Sequence, residues 1–256
     1  MKLSVIIPAY NEEARISATL ASVTSYLARQ AYQSEVIVVV NGSVDRTYEV
    51  VKLAAEQNAE TLARPEIVAM NIIEGGKGNA VKRGILEKAS GDVVMFMDAD
   101  NATPISELEK FFPLMREGCD VVIGSRYIAP ELVKVRQPFY RIVLSRMSNL
   151  LIQMLAVPGI KDTQLGFKAF TGVAAKNIFP YVTVTRWGFD MEVLTIALAQ
   201  GYRIREVGVA WTEHGGGHVP LRAYMESLGD LIKIKLNRLA GAYDRKESTA
   251  SDLDCV

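Results

Sequence analysis

VVMFMDAD, residues 93–100, joins five uninterrupted apolar residues to two carboxylates spaced two apart. A short apolar run of this kind, with no polar alternation, reads as a strand buried on both faces, the environment of a parallel sheet covered by helices. At the tip of such a strand, Asp98 and Asp100 can both turn to one hard cation. Mg²⁺ and Mn²⁺ take oxygen ligands of this sort, together with diphosphate oxygens. Two aspartates so spaced also serve as a solvated turn or a helix cap ahead of Pro104; their position behind VVMFM favours the cation.

The same grammar repeats on the N-terminal side. Leu3–Ile7, Val36–Val40 and Ile67–Ile73 are strand-like, and helical patterns lie between them at roughly 11–30, 45–57 and 78–88. Strand and helix in alternation predict a mostly parallel sheet with right-handed crossovers and flanking helices. In such sheets ligands bind beyond the carboxyl ends of the strands. The polar motifs fall there: PAYNEE (8–13), NGSVD (41–45), EGGKGN (74–79) and DAD (98–100). Further on, Val121–Gly124 reads as a strand, 138–157 as an apolar helix carrying Arg141 and Arg146, and 190–200 as a helix. Residues 203–212 are strand-like, and 220–240 form a last, amphipathic helix opened by Pro220. The expected organisation is one domain over 1–243, with a nucleotide-binding half (1–125), an acceptor and sugar half (126–219) and the amphipathic helix (220–243). Residues 244–256 read as a disordered polar tail.

Composition sets outer limits. The chain has 256 residues, 49% of them apolar, enough for the core of one large α/β domain. A net charge of zero gives no global field for nucleic acid. Cys119 and Cys255 stand far apart, which suits a reducing compartment. The N-terminal apolar run stops at Pro8, too soon for a signal peptide, and no stretch is long and apolar enough to predict a spanning helix.

Individual side chains suggest roles. Tyr10 can stack on a base, while Asn11 or Glu12 can bond it or the ribose; Asn11 is equally a helix cap. The Asn41 amide oxygen can accept from a uracil imide N–H, Gly42 permits a tight turn and Asp45 can cap the following helix. In GGKGN, backbone N–H groups, a helix N-terminus and Lys77 together favour phosphate, although the spacing is not that of a P-loop. Arg126 and Arg141 carry guanidinium forks suited to phosphate, whereas Arg146 reads as solvated. His214 and His218 lie in HGGGH, a glycine-rich loop with no third metal ligand in view. In 138–157 and 221–243, Leu, Ile and Met alternate with Lys and Arg; Lys233, Lys235 and Arg238 accompany Leu228, Leu231, Ile232, Ile234, Leu236 and Leu239. Such helices suit a membrane interface, or else core packing or a dimer contact.

Taken in order, VIIPAYNEE, NGSVDRT, GGKGNAVKRG, MDADNAT, IGSR, DTQLGFKAF, RWGFDMEVL and VAWTEHGGGHVPL resemble family-2 glycosyltransferases, in the dolichyl-phosphate glucosyltransferase and polyprenyl-phosphate glycosyltransferase branch, over about residues 3–243. The resemblance implies a GT-A fold. It implies that Asp98 and Asp100, with Ala99 between them, hold a metal and a nucleotide diphosphate, and that Pro8, Ala9, Tyr10, Glu12, Asn41 and Lys77 line the nucleoside end. Arg126 and Arg141 would grip the acceptor phosphate. Asp162, Gln164, Trp187, Asp190 and His218 would lie near the sugar or acceptor. The chain departs from the family at Val40 and Asn41, where an acidic pair is usual, and at His218, where a basic residue is common. Many relatives carry transmembrane helices beyond the catalytic domain; attachment here is expected to be peripheral, on the cytoplasmic face of a membrane, through the chain itself, a homodimer or a membrane-protein partner.

The implied reaction is a single displacement with inversion, moving a hexose, glucose first, from a nucleotide diphosphate sugar, UDP first, to a polyprenyl or dolichyl phosphate. A phosphate monoester has a second pKa of about 6 and is largely a dianion at neutral pH, so no strong general base is required. Asp162 would position the sugar, with a general-base role as the alternative. Other readings are a GDP-mannose or UDP-N-acetylglucosamine donor, a soluble acceptor, and a nucleotidyltransferase, which would need a Gly-rich basic loop where PAYNEE stands.

Overall fold

The computed structural model describes residues 1–60, 65–134, 149–212 and 221–245. Its centre is a seven-stranded sheet in the order β3-β2-β1-β4-β7-β5-β8. The strands are β1 (Lys2–Ala9), β2 (Gln33–Asn41), β3 (Glu66–Ile72), β4 (Val93–Met97), β5 (Val121–Ser125), β7 (Phe167–Thr171) and β8 (Ile204–Gly208). All neighbouring pairs are parallel except those of β7, which runs antiparallel to both β4 and β5. Two short strands, β6 (Val133–Lys134) and β9 (Trp211–Thr212), pair separately.

Period-two alternation within continuously apolar strands feeds two cores, one on each face. Leu3, Val5 and Ile7 of β1 join Val36, Val38 and Val40 of β2 under α1 (Ile16–Leu27), α2 (Thr47–Glu60) and α4 (Phe111–Arg116). Ile6, Ile37 and Val39 turn the other way. There they meet α3 (Lys77–Glu87), α5 (residues 149–155), α6 (Gly172–Ile178), α7 (Phe189–Ala199) and α8 (Leu221–Leu239).

The expected strands and helices are present among the described residues, with two differences of consequence. The first helix starts at Ile16 rather than near residue 11. Asn11 takes a left-handed backbone (φ 53°), donates its N–H to Ser43 Oγ at 3.0 Å and accepts from the Val44 N–H at 3.0 Å. It ties the β1 tip to the β2 tip instead of capping a helix. Asp45 behaves as expected, accepting from the Thr47 N–H at 3.0 Å at the start of α2. The second difference is β7, which the sequence pattern did not announce. FKAFT puts a lysine inside a strand buried on both faces, and the strand reverses direction between two parallel neighbours.

That reversal positions the site. β1 to β5 all end at one edge of the sheet, while β7 begins there. The turn leading into β7, residues 162–166, therefore sits between the tips of β4 and β5. Those tips lie two strand spacings apart, on the order of 10 Å.

Candidate active site

Asp98 and Asp100 leave the tip of β4 in a turn fixed from several sides. The Asp98 N–H donates to the Gly166 carbonyl at 3.1 Å. Thr19 Oγ1 of α1 donates to the Ala99 carbonyl at 2.6 Å, and the Ala102 N–H donates to Asp100 Oδ1 at 3.0 Å. Burial, and then the neighbouring Asp98 charge, hold the Asp100 carboxyl above the ordinary aspartate value. Two crowded carboxylates on a rigid turn form a donor set that a hard divalent cation fits, because only a cation relieves their repulsion. They do not close a coordination shell: among the described residues no three His, Cys, Asp or Glu cluster as metal ligands. Diphosphate oxygens and water would have to complete it.

Gly166 is the floor of this turn. A Cβ there would lie 2.3 Å from Asp98 Oδ2 and 2.4 Å from Oδ1. Gly166→Ala is therefore expected to displace the Asp98 carboxylate and lower kcat by about 10²-fold, the scale of an ångström misplacement. Steady-state kinetics beside a thermal melt check this. An alanine variant with normal turnover would show that the Asp98 position is immaterial.

Lys77 opens α3 and reaches back over the sheet edge. Its Nζ lies 2.5 Å from Asp98 Oδ1, and 5.9 Å from the ring centroids of both Trp187 and Phe189. Burial pulls its pKa down, but Asp98, Asp190 and Asp100 outweigh that and leave it raised, so it stays an ammonium. The glycines around it are there for close packing. At Gly76 (φ 116°) a Cβ would stand 2.4 Å from the Thr185 carbonyl oxygen, and at Gly78 2.6 Å from Phe189 Cβ. The expected cradle of free N–H groups is partly spent inside the protein: Asn79 N–H donates to the Thr185 carbonyl at 3.1 Å and Gly76 N–H to the Asn41 amide oxygen at 3.1 Å. Phosphate attraction falls to Lys77 and the start of α3.

The nucleoside end is narrower than expected. Pro8 and Ala9 are buried strand residues opposite Val39 and Val40, so their side chains line no open surface. Asn41 is buried too, and its amide donates to the Ala9 carbonyl at 2.8 Å while accepting from Gly76. The amide expected to read a uracil imide thus also braces three segments. Tyr10, 57% exposed, remains available for stacking. Glu12 is bonded to Arg15 at 2.8 and 2.9 Å; burial raises its pKa against Arg15, and the Asp100 charge adds to the rise.

At the β5 tip, Arg126 holds Asp162 through Nε at 2.8 Å, Nη2 at 2.9 Å and its backbone N–H at 3.0 Å. Asp162 is fully buried. Burial opposes its charge, but Arg126 outweighs burial and keeps its pKa low. Asp162 thus braces Arg126. Asp98 is among the charges that stabilise the Arg126 cation, so the two strand tips share one field. The Nη1 edge of Arg126 has no hydrogen-bond partner among the described residues, while the guanidinium lies 5.5 Å over Trp211. Gln164 is exposed on the intervening turn and Trp187 is 54% exposed beside Lys77. Asp190, in the first turn of α7, is buried and paired with Lys168.

Lys168 is the residue that sequence reasoning missed. It is 0% exposed, bonds Asp190 and donates to the Leu165 carbonyl at 2.7 Å. The available signal was a lone lysine inside the apolar FKAF of the DTQLGFKAF motif. Arg141, His214 and His218 lie outside the described residues.

Comparison with known proteins accords with this geometry. Residues 4–179 match the family model described as glycosyl transferase family 2. A dolichyl-phosphate beta-glucosyltransferase of Dictyostelium discoideum is 33% identical over 255 residues, covering 95% of this chain and 77% of that protein. The Homo sapiens protein of the same name is 34% identical over 261 residues, covering 97% and 79%. Among solved structures, glucosyl-3-phosphoglycerate synthase from Mycobacterium tuberculosis in complex with Mn²⁺, uridine diphosphate and phosphoglyceric acid superposes with a TM-score of 0.64 at 21% identity, over 91% of this chain and 78% of that one. At that identity the likeness speaks to the fold alone.

Proposed function

The chain belongs to glycosyl transferase family 2 and has the GT-A fold, and from that premise we propose that it moves a hexose, glucose first, from a UDP-sugar onto the phosphate of a polyprenol or dolichol at a membrane surface. The observation that carries the reading is the pairing of opposite charges on one sheet edge. A carboxylate pair with Lys77 stands at the β4 tip, suited to a cation and a diphosphate. An arginine fork braced by Asp162 stands at the β5 tip, suited to a second phosphate. The relatives' names supply the acceptor and the sugar.

Each of these residues has a task. Lys77 draws the diphosphate to the start of α3 and offsets its charge. Asp98 and Asp100 would hold Mg²⁺ or Mn²⁺, which supplies Lewis-acid stabilisation of the leaving diphosphate. Tyr10 and Glu12 take the nucleoside end. Trp187, exposed beside Lys77, offers its ring face to the hexose. Arg126, with Arg141 beyond the described segment, holds the acceptor phosphate and offsets repulsion between two anionic substrates. That phosphate, largely dianionic above its second pKa of about 6, is its own nucleophile. Asp190, locked to Lys168, orients the floor of the sugar site.

Attachment would be peripheral, on the cytoplasmic face. No described helix is long and apolar enough to cross a membrane. α8 buries Leu231 and Ile234 but exposes Leu228, Ile232, Leu236 and Leu239, with Lys233 beside them. Leu150, Leu151 and Met154 are exposed on α5. Arg238 of α8 donates to the Ala156 carbonyl at 2.9 Å, which ties the two helices together. Such a surface buries apolar area at a lipid interface while its cations meet headgroups.

The test is a donor screen with UDP-glucose, UDP-N-acetylglucosamine and GDP-mannose, a short polyprenyl phosphate and Mn²⁺ or Mg²⁺, following release of the nucleotide diphosphate, together with liposome co-sedimentation. UDP-glucose is expected to be consumed in proportion to lipid phosphate, with the protein found on vesicles. Turnover with a soluble hydroxyl acceptor but not with lipid phosphate, and no vesicle binding, would replace this reading with a soluble-acceptor transferase.

A further inference from the structure

Lys77 rests on one of the two carboxylates that would hold a metal. Its ammonium lies 2.5 Å from Asp98 Oδ1, and its side chain is only 14% exposed. The backbone beneath it is closely packed, Gly76 against the Thr185 carbonyl and Gly78 against Phe189, with no room for even a methyl group. The side chain can leave Asp98 by swinging about its own torsions. The rings of Trp187 and Phe189 line that swing, and aromatic faces accept a cation. An ammonium in contact with Asp98 and a divalent cation on the same carboxylate repel one another, so each weakens the other's hold unless a new anion receives the lysine.

We propose that Lys77 is a built-in cation that holds Asp98 in the ligand-free protein, and that an arriving nucleotide diphosphate draws it away so that a divalent cation can take its place. The proposal rests on the reading of Asp98 and Asp100 as metal ligands. It makes metal and nucleotide binding mutually dependent through one side chain. Metal alone binds weakly because it must evict Lys77 without compensation. With the diphosphate present, Lys77 moves from one anion to another and the eviction costs little. Coupling of this kind is reciprocal and commonly spans 5- to 150-fold.

The experiment is calorimetric titration of Mn²⁺ into the whole protein, alone and with saturating UDP, for wild type, Lys77→Met and Lys77→Arg. With Mn²⁺ alone, Lys77→Met is expected to bind about tenfold more tightly than wild type, and Lys77→Arg as weakly as wild type. Thermal melts give a second readout: Mn²⁺ alone should raise the Tm of Lys77→Met by several degrees and leave wild type nearly unmoved. Equal affinity of wild type and Lys77→Met for Mn²⁺ alone, with both binding it in the presence of UDP, overturns the proposal and leaves the metal site standing. If none of the three binds Mn²⁺ even with UDP, the metal reading itself falls, and the proposal with it.

Discussion

Asp100→Ala is expected to lower kcat for hexose transfer by about 10³-fold, the scale of losing a transition-state charge stabiliser, in a protein that remains folded. Both halves of that expectation come from the same geometry. Asp100 is one of two carboxylates on a single turn, and the other, Asp98, already answers to Lys77. Removing Asp100 leaves one carboxylate of the pair on that turn, and among the described residues no cluster of three His, Cys, Asp or Glu stands ready to hold the metal instead. For the fold, the loss of the Ala102 N–H bond is set against the relief of a charge cost. Burial and the Asp98 charge raise the folded-state pKa of Asp100 above its ordinary value of 3.8. A carboxyl with a raised folded value is ionised at a cost to stability; the cost is present at neutral pH and vanishes as pH falls below the ordinary value. Without metal, Asp100→Ala should therefore melt at or above the wild-type temperature at pH 7, and the difference should close near pH 3 to 4. A variant with near-normal turnover in saturating metal would remove Asp100 from the active site. One that melts much lower at pH 7 would make the residue a structural one.

How far the sequence disclosed this molecule depends on what kind of signal each part carries. Strands β1, β2, β4 and β5 were visible because apolar runs buried on both faces need no neighbour to be recognised, and the half-buried edge strand β3 because its run is still mostly apolar. The site edge was visible because ligands bind where such strands end, and the polar motifs stand at those ends. β7 was not, for a physical reason: its Lys168 is tolerable in a buried strand only with Asp190 opposite, and Asp190 is 22 residues away in another element. A long-range ion pair leaves no local trace. The same holds for Asn41, whose position after β2 suggested base recognition. Its actual partners, Ala9 and Gly76, lie on two other segments, and only the folded chain brings them to the amide. Gly166 shows the converse. Nothing in LGF says that a methyl group there would strike Asp98, since the collision exists only once β7 has reversed beside β4.

Lys168→Met is expected to cost about 3–5 kcal/mol of stability, the usual penalty for leaving one member of a buried ion pair uncompensated. For a chain of this size that is a fall in Tm of roughly 6–20 °C. Both partners are almost wholly out of water, and burial acts against both charges, lowering the pKa of Lys168 and raising that of Asp190. Neither charge survives comfortably without the other. The double variant Lys168→Met, Asp190→Leu removes both charges at similar volume, and such replacements are close to neutral. It should recover most of the loss, because the Leu165 carbonyl that Lys168 leaves still accepts from the Phe167 N–H at 2.8 Å. Activity should not follow stability. Lys168 anchors the turn whose Gly166 carbonyl receives the Asp98 N–H, and Asp190 is one of the anions that hold Lys77 as a cation. The double variant is thus expected to be folded, nearly as stable as wild type, and still at least about 10²-fold slower. Denaturant melts and kcat on the two single variants and the double one decide it. If Lys168→Met alone melts with wild type, the pair is not a buried ionic one. If the double variant regains turnover along with stability, the pair holds the fold and nothing more.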